Sequence, residues 1–572
     1  MTIMKKFFLL QVLVFASFFL NAQEIYYAEP VKIPILLSGS FGELRNNHFH
    51  SGIDIKTQGK VGIPVFAVAD GYISRISVSP TGYGNVIYIN HDNGTTSVYG
   101  HLDQFRPDIQ NYIKNIQYER KSFLADVPVL PGIFPVAKNE KFALSGNSGS
   151  SDGPHLHFEL RNTRTEDPLN PLKLGFYFMK DNTPPTIYSV QITPLSAESH
   201  VNFSNKKVIF DVELVNGKYR IKNNPVIPVY GQIGFAIEAN DFVDGSGNKC
   251  GINSMELTIN GIVYAVFEIN SFSYGESRYI NSYIDYEVFA ITGRKFQKTF
   301  TEPCSKLRNF EFTENNGIFD PGFDGVHQVK IELKDSKGNS AVLEFSVEGK
   351  YREMPAVEED FTSVFVCGQP NLLKTDDFSI ELPEGTLYKN LLFQYQVKDA
   401  SNGYFSAVHQ IHNKTVPLHK SATVSIKTKD LPESLAEKAL LVNINPGNGK
   451  FTSAGGKYEN GWITADIRTF GNYAVRVDTV PPTILPRSIT NKTTLNEPDK
   501  IRFEIKDDLA GIGTIEGLID GKWALFEYDA KNNLITHYFD AERFELNKQH
   551  NFKLTVTDNR GNSSVYEATF NK

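Results

Sequence analysis

Gly146-Asn-Ser-Gly-Ser-Ser-Asp-Gly-Pro-His-Leu-His-Phe-Glu-Leu160 is a loop of small residues that runs into His155, Leu156 and His157. Side chains alternate faces along a strand, so two histidines one residue apart point the same way and can share one ion or one substrate. Two imidazoles are too few for a stable zinc site, which needs a carboxylate and a further donor from elsewhere. Both are available upstream. His50-Ser51-Gly52-Ile53-Asp54 lies in a Gly-containing extended stretch, and Tyr99-Gly100-His101-Leu102 follows a strand-like run from Gly84. Six of the 13 histidines fall between His48 and His157, so the chemistry is concentrated in one region.

Taken in order, His-x-x-x-Asp, a lone His in Tyr-Gly-His-Leu, and His-x-His after a Gly/Ser turn with Gly-Pro resemble the M23 metallopeptidases, the lysostaphin-like or LytM-type peptidoglycan endopeptidases. Pro64 to Gly71 and Gly82 to Val86 also resemble that family, and the likeness spans roughly residues 25 to 175. It implies one Zn2+ per chain, with His50, Asp54 and His157 as ligands. It also implies that His101 and His155 are the unligated pair that takes the proton from water and stabilises the oxyanion. The implied substrates are stem or cross-link peptides of bacterial peptidoglycan. His48 rivals His50, because it lies two residues earlier on the same face; the four-residue step to Asp54 and Gly52 favour His50.

Other motifs carry less. Ser148 sits in Gly-Asn-Ser-Gly, which is not a nucleophile elbow, and its small neighbours are explained by a tight turn. His91 precedes an Asn-Gly turn and reads as a hairpin-end residue. His409-x-x-His412 with His419 has metal-ligand residue types but no defined setting, and reads as a solvated loop. Glu159 reads as a supporting carboxylate beside the His pair.

Residues 1–22 carry Lys5-Lys6, an apolar run from Phe7 to Leu20 and a small residue at Ala22, the pattern of a signal peptide; an uncleaved anchor is the alternative. With cleavage, no transmembrane segment is expected, and the location is periplasmic or extracellular. The net charge is -7, and residues 24–178 hold 14 Lys/Arg against 15 Asp/Glu, which gives no basic excess for nucleic acid. Three cysteines permit one disulfide; if a bridge forms, Cys250 with Cys304 is the expected pair because they share a predicted domain, and three free thiols are the equal alternative.

The expected fold class is mainly β: an antiparallel LytM-type peptidase domain at 24–178 with a helical insertion, followed by immunoglobulin-like β-sandwiches. Short β-branched and aromatic runs broken by Gly, Pro and Asn give the first part. Phe105 to Val127 departs from this, with apolar positions 109, 112, 113 and 116 at helical spacing. It is either a lid beside the zinc or a packing elaboration. Downstream the chain repeats itself: Asp181-Asn-Thr-Pro-Pro185 is echoed by Asp478-Thr-Val-Pro-Pro482, and Asp335-Ser-Lys-Gly-Asn339 by Asp558-Asn-Arg-Gly-Asn562. These delimit a sandwich with an insertion at 183–350 and another at 479–572, around a β-rich unit at 351–477 with one short helix near Leu431 to Leu440. The three units are expected to form a rigid arm that binds an envelope protein or glycan. Two other classes of function remain: a non-catalytic LytM-type regulator, and an envelope-binding protein whose β-domains carry the main function.

Overall fold

The computed structural model describes residues 26–175, 179–355, 360–399, 403–495 and 500–572. The expected signal peptide lies outside them. Among the described residues no helix is long and apolar enough to cross a membrane.

The first unit is built on β1 (Leu37–Gly39), β2 (Ile53–Lys56), β3 (Pro64–Phe66), β4 (Gly71–Val78), β5 (Val86–His91), β6 (Thr95–Gly100) and β7 (Leu102–Phe105). After α1 (Pro107–Arg120) come β8 (Ala125–Pro128), β9 (Pro135–Val136), β10 (Lys141–Ser145), β11 (His155–Asn162) and β12 (Pro168–Leu169). The main sheet runs β1-β2-β11-β6-β5-β4-β8, and β3-β10-β7 form a second sheet. The turn between β5 and β6 is the Asn93-Gly94 hairpin, with Gly94 at φ +78°. His91 closes it from inside: buried, its ring bonds Asp70 O at 2.8 Å and Ser97 Oγ at 2.7 Å.

The helix in the expected insertion is α1. It begins with Pro107 in its first turn and ends at Lys121 in the left-handed conformation. Ile109 and Ile113 are buried in the core of the first unit, while Tyr112 and Ile116 pack against it. Its outer face meets the end of the chain. Tyr118 stacks edge-on against Trp523 with centroids 5.2 Å apart, Arg543 lies 3.8 Å over the Tyr118 ring, and Lys114 pairs with Asp540 at 3.0 Å. The helix is therefore a docking surface for the last unit, and it lines none of the cleft described below.

Downstream the fold is also β. In 183–350 two sheets join because strand Val208–Val215 pairs with one through Val208 to Asp211 and with the other through Val212 to Val215. Three short helices, Tyr274–Ser277, Ile280–Tyr283 and Tyr286–Thr292, lie between strands Ile262–Glu268 and Gln297–Lys298. Two five-stranded sheets share one core in 360–477, and a four- and a five-stranded sheet share another in 483–571. The segment near Leu431 to Leu440 is a 3-10 turn, Glu433–Lys438. His409 and His412 are not a solvated loop: both are buried, and each stacks on a phenylalanine ring, Phe378 and Phe393 respectively.

The first two units are interlocked. Phe41 and Phe49 of the first insert into the core of the second beside Phe272 and Tyr283, while Val243 and Cys250 of the second enter the core of the first. This overturns the expected disulfide, because Cys250 is a buried free thiol spent on packing. Cys304 instead bonds Cys367 with Cα atoms 6.1 Å apart, tying the second unit to the third. The arm expectation is corrected too. The last unit folds back, and Lys531 donates to the carbonyls of Asn147 and Ser151 in the loop that precedes β11. Among the described residues the end of the chain thus contacts its first unit.

The cysteine assignment predicts that the oxidised chain shows one thiol after denaturation and none reactive in the native state. Peptide mapping should join Cys304 to Cys367, and the Cys367→Ala variant should lose about 2–4 kcal/mol in urea unfolding. Two or three titratable thiols would contradict it.

Candidate active site

β11 lies inside the main sheet, between β2 and β6. Its register sets His157 opposite Asp54 on one side and opposite Gly100 on the other, next to His101. Gly52 is required where the two strands meet, because a Cβ there would lie 2.3 Å from Phe158 O and 2.8 Å from Glu159 Cγ. His101 itself sits at φ +58°, a strained conformation for a histidine, held by its N–H to Tyr83 O at 2.8 Å. The Gly/Ser loop packs onto residues 82–84, and a Cβ on Gly149 would lie 2.4 Å from Gly84 N.

The structure brings all five expected residues together. His50 Nε2, Asp54 Oδ1 and His157 Nδ1 form a triangle with edges of 3.1, 2.9 and 3.1 Å. Zinc bonds of 2.0–2.2 Å at tetrahedral angles give edges of about 3.3 Å, so this two-nitrogen, one-oxygen set fits the ion after a shift of a few tenths. His155 Nε2 lies 3.4 Å from Asp54 Oδ1, and the His101 ring centroid is 4.7 Å from that of His155. His48 is exposed and bonds Asn46 O, outside the triangle.

Each ring has one nitrogen already committed. His50 Nδ1 donates to Ser40 O at 2.8 Å, His101 Nδ1 to Ser148 O at 2.8 Å, and His155 Nδ1 to Gly153 O at 2.8 Å. A carbonyl only accepts, so in the neutral rings each N–H faces outward and each lone pair faces the cleft. His157 is turned the other way. Its Nε2 bonds Glu159 Oε1 at 2.8 Å, which presents Nδ1.

Glu159 is fully buried and saturated. Ser51 and Tyr83 donate to Oε1 at 2.6 Å each, Arg161 to Oε2 at 2.6 Å and Tyr274 to Oε2 at 3.1 Å. Burial opposes its charge, but Arg161 and His157 hold the carboxyl well below the usual carboxylate range. Arg45 takes Asp54 Oδ2 at 2.9 Å, leaving Oδ1 for the triangle. Burial likewise opposes the Asp54 charge, and His50, His155 and His157 hold its carboxyl low. Burial, then the charges of His157 and His155, push His101 down to about 3, so it stays neutral. Burial works against protonation of His157 as well, yet hydrogen bonds and charge from Asp54 and Glu159 raise it to about 9.

Sequence reasoning missed Arg45, Tyr83, Arg161 and Tyr274. Arg161, two residues past Glu159 on the same strand face, and Tyr83, inside the family-like stretch Gly82 to Val86, left a signal; Arg45 and Tyr274 left none. Ser148 is structural, accepting from Asn85 N at 3.0 Å and donating to Leu102 O at 2.8 Å. The cleft over the histidines has a volume of 1240 Å³, and Tyr274, Arg278 and Arg468 from the second and third units form part of its wall.

Residues 48–117 match the family model "Peptidase family M23", and residues 362–478 match "Zu5-like domain". An uncharacterized metalloprotease of Haemophilus influenzae is 32% identical over 121 residues, covering 21% of this chain and 20% of the relative. A DD-carboxypeptidase/endopeptidase of Neisseria meningitidis is 32% identical over 126 residues, 22% of this chain and 23% of the relative. A peptidoglycan DD-endopeptidase of Vibrio cholerae is 30% identical over 111 residues, 19% of this chain and 20% of the relative. The chain therefore spans about a fifth of the length of these relatives. Among solved structures, a zinc-containing peptidase from Vibrio cholerae is 25% identical over 25% of this chain and 38% of that one, with a TM-score of 0.19.

The raised pKa of His157 predicts a pH dependence for the metal-stripped chain. A folded-state value of about 9 against about 6.5 unfolded adds stability that is fully present below pH 6.5 and is lost as pH rises through 9. Urea midpoints after chelation should therefore fall between pH 6.5 and 9.5, and Glu159→Gln should flatten the fall. A flat profile for the parent chain would refute the proton bridge between His157 and its two carboxylates.

Proposed function

Since the chain carries a peptidase family M23 domain, we propose that it is an exported zinc metalloendopeptidase that hydrolyses peptide cross-links of bacterial peptidoglycan. The observation that carries this reading is the commitment of one nitrogen on each of four imidazoles to an outer acceptor. The lone pairs of His50, His101 and His155, the Nδ1 that His157 would free on losing its proton to a metal, and Asp54 Oδ1 face one cleft. The peptidoglycan enzymes among the relatives support the substrate class, and the pattern of residues 1–22 supports export.

His50, Asp54 and His157 would hold the ion. When bound, zinc supplies Lewis acidity, lowering the pKa of a water towards about 7 and polarising the scissile carbonyl. Glu159 fixes the tautomer of His157, and Arg45 keeps Asp54 to a single inward oxygen. His101, held neutral, orients the attacking water through Nε2. His155 accepts its proton at Nε2 and returns it to the leaving amine, and as an imidazolium it stabilises the tetrahedral oxyanion. Arg278 and Arg468 on the cleft wall favour a peptide that carries carboxylates. All five positions are filled, which counts against a non-catalytic regulator.

The test compares zinc content with release of new amines from purified peptidoglycan. His155→Ala should keep about one zinc per chain while turnover falls by about 10²–10⁴-fold, and Asp54→Ala should lose both. A zinc-loaded parent chain that releases no amine would sink the substrate assignment; a chain that takes up no zinc would sink the enzyme.

A further inference from the structure

Away from the histidine cleft, Asp181, Asp241 and Asp335 each offer a carboxylate oxygen within 4.8 Å of the others. They arrive from three separate segments: the linker into the second unit, the residue after strand Ile233–Asn240, and the turn after strand Val326–Lys334. Two are already partnered. Asp335 Oδ1 accepts from Lys337 N, Gly338 N and Asn339 N at 2.8, 2.6 and 2.9 Å, and Asp181 Oδ1 accepts from Thr183 N at 3.2 Å. Asp241 differs. It is 4% exposed, and its Oδ1 is buried with no hydrogen-bond partner.

The chain supplies its own comparison. The repeated motifs place Asp478 and Asp558 where Asp181 and Asp335 stand, and Asp507 follows strand Lys500–Lys506 as Asp241 follows its strand. These three also cluster. Asn339 Nδ2 reaches Asp181 O at 3.1 Å and Asp335 Oδ2 at 2.6 Å; Asn562 Nδ2 reaches Asp478 O at 2.9 Å and Asp558 Oδ2 at 2.7 Å. In the later unit, however, the backbone satisfies the third carboxylate: Asp507 Oδ2 accepts from Leu509 N at 3.0 Å and Gly511 N at 2.7 Å. The same architecture closes with amides at Asp507 and leaves one buried carboxylate oxygen, Oδ1, without a partner at Asp241.

The geometry points to a divalent-cation site formed by Asp181, Asp241 and Asp335, distinct from the histidine cleft. All donors are carboxylates, which selects a hard cation. Ca2+ suits oxygens from three separate segments better than Mg2+, because its coordination is larger and less regular. Lys337 is half-buried nearby and acts on Asp181 and Asp335, but one ammonium does not balance three carboxylates. Burial, then the Asp335 and Asp181 charges, push the Asp241 carboxyl up to about 8, which agrees with a pocket short of positive charge.

The site lies where the second unit grips the first. Beyond Asp241, Ser246 Oγ donates to Leu37 O at 2.7 Å and Gly251 N to Ser40 Oγ at 2.9 Å, and Ser40 O is the acceptor that orients His50. A bound cation would pin the linker, the strand end and the turn as one body.

The test uses the full, zinc-saturated chain with Ca2+ alone as the probe. In equilibrium dialysis the parent chain should bind one more Ca2+ than Asp241→Asn. Millimolar Ca2+ should raise the parent's thermal midpoint by about 2 to 4 °C and leave the variant unmoved. Without Ca2+ the variant should melt at or above the parent, since the third carboxyl no longer crowds Asp181 and Asp335; a purely structural aspartate would give the opposite shift. Asp181→Asn must show the same loss of binding and serves if the first variant does not fold, and both should keep their zinc. Equal Ca2+ binding by the parent and a folded variant would overturn the site.

Discussion

Asp54 and His157 face each other across the antiparallel pairing of β2 with β11, and the site depends on that register. A one-residue slip of β11 would turn His155, His157 and Glu159 away from the cleft and bring Leu156, Phe158 and Leu160 into it. The slip is prevented on both faces of the strand. Leu156, Phe158 and Leu160 are fully buried in the core on one side, while Glu159 collects Ser51, Tyr83, Arg161, Tyr274 and His157 on the other. Burying a carboxylate costs several kcal/mol unless it is paired and hydrogen-bonded, so Glu159 is tolerable only with this set complete. The same set fixes the imidazole beside it. Stability of the sheet and preparation of the site are therefore one arrangement.

The cleft is the work of the whole chain. β11 and β2 supply its floor, but Tyr274 and Arg278 on the wall belong to the second unit and Arg468 to the third. The fourth unit holds the carbonyls of Asn147 and Ser151, on the loop whose Ser148 O fixes His101. Movement of that unit about its Pro-Pro linker would disturb the loop, and through it one of the inward-facing rings.

How much of this was legible depends on distance along the chain. His50, Asp54, His101, His155 and His157 were readable because each sits in a local pattern, and α1 because Ile109 and Ile113 recur at helical spacing. Glu159 was readable only as a supporting carboxylate. Arg45 has no motif; it is recognisable only once β1 and β2 pair. Tyr274 lies 115 residues beyond Glu159 and reaches it from a short helix of the second unit, which no periodicity announces. The disulfide was misread for the same reason. Shared domain membership favoured Cys250 with Cys304, but Cys250 is buried among apolar residues of the first unit and Cys304 faces the third. His409 and His412 looked solvated, because stacking on phenylalanine rings leaves no mark in sequence spacing.

The interlock also changes what counts as a unit. By sequence, the boundary near residue 178 separates a catalytic part from its arm, and cutting there would ask what each does alone. In the folded chain Phe41 and Phe49 sit in the core of the second unit, while Val243 and Cys250 sit in that of the first. Exposing two buried phenylalanines costs about 3–6 kcal/mol, a large share of the 5–15 kcal/mol that holds a typical domain together. The loss would fall on the segment between β1 and β2, where Arg45 braces Asp54 and Ser40 orients His50. A chain cut there would lose the geometry of the site along with the downstream units. The cleft is therefore to be probed by point substitution, and not by truncation.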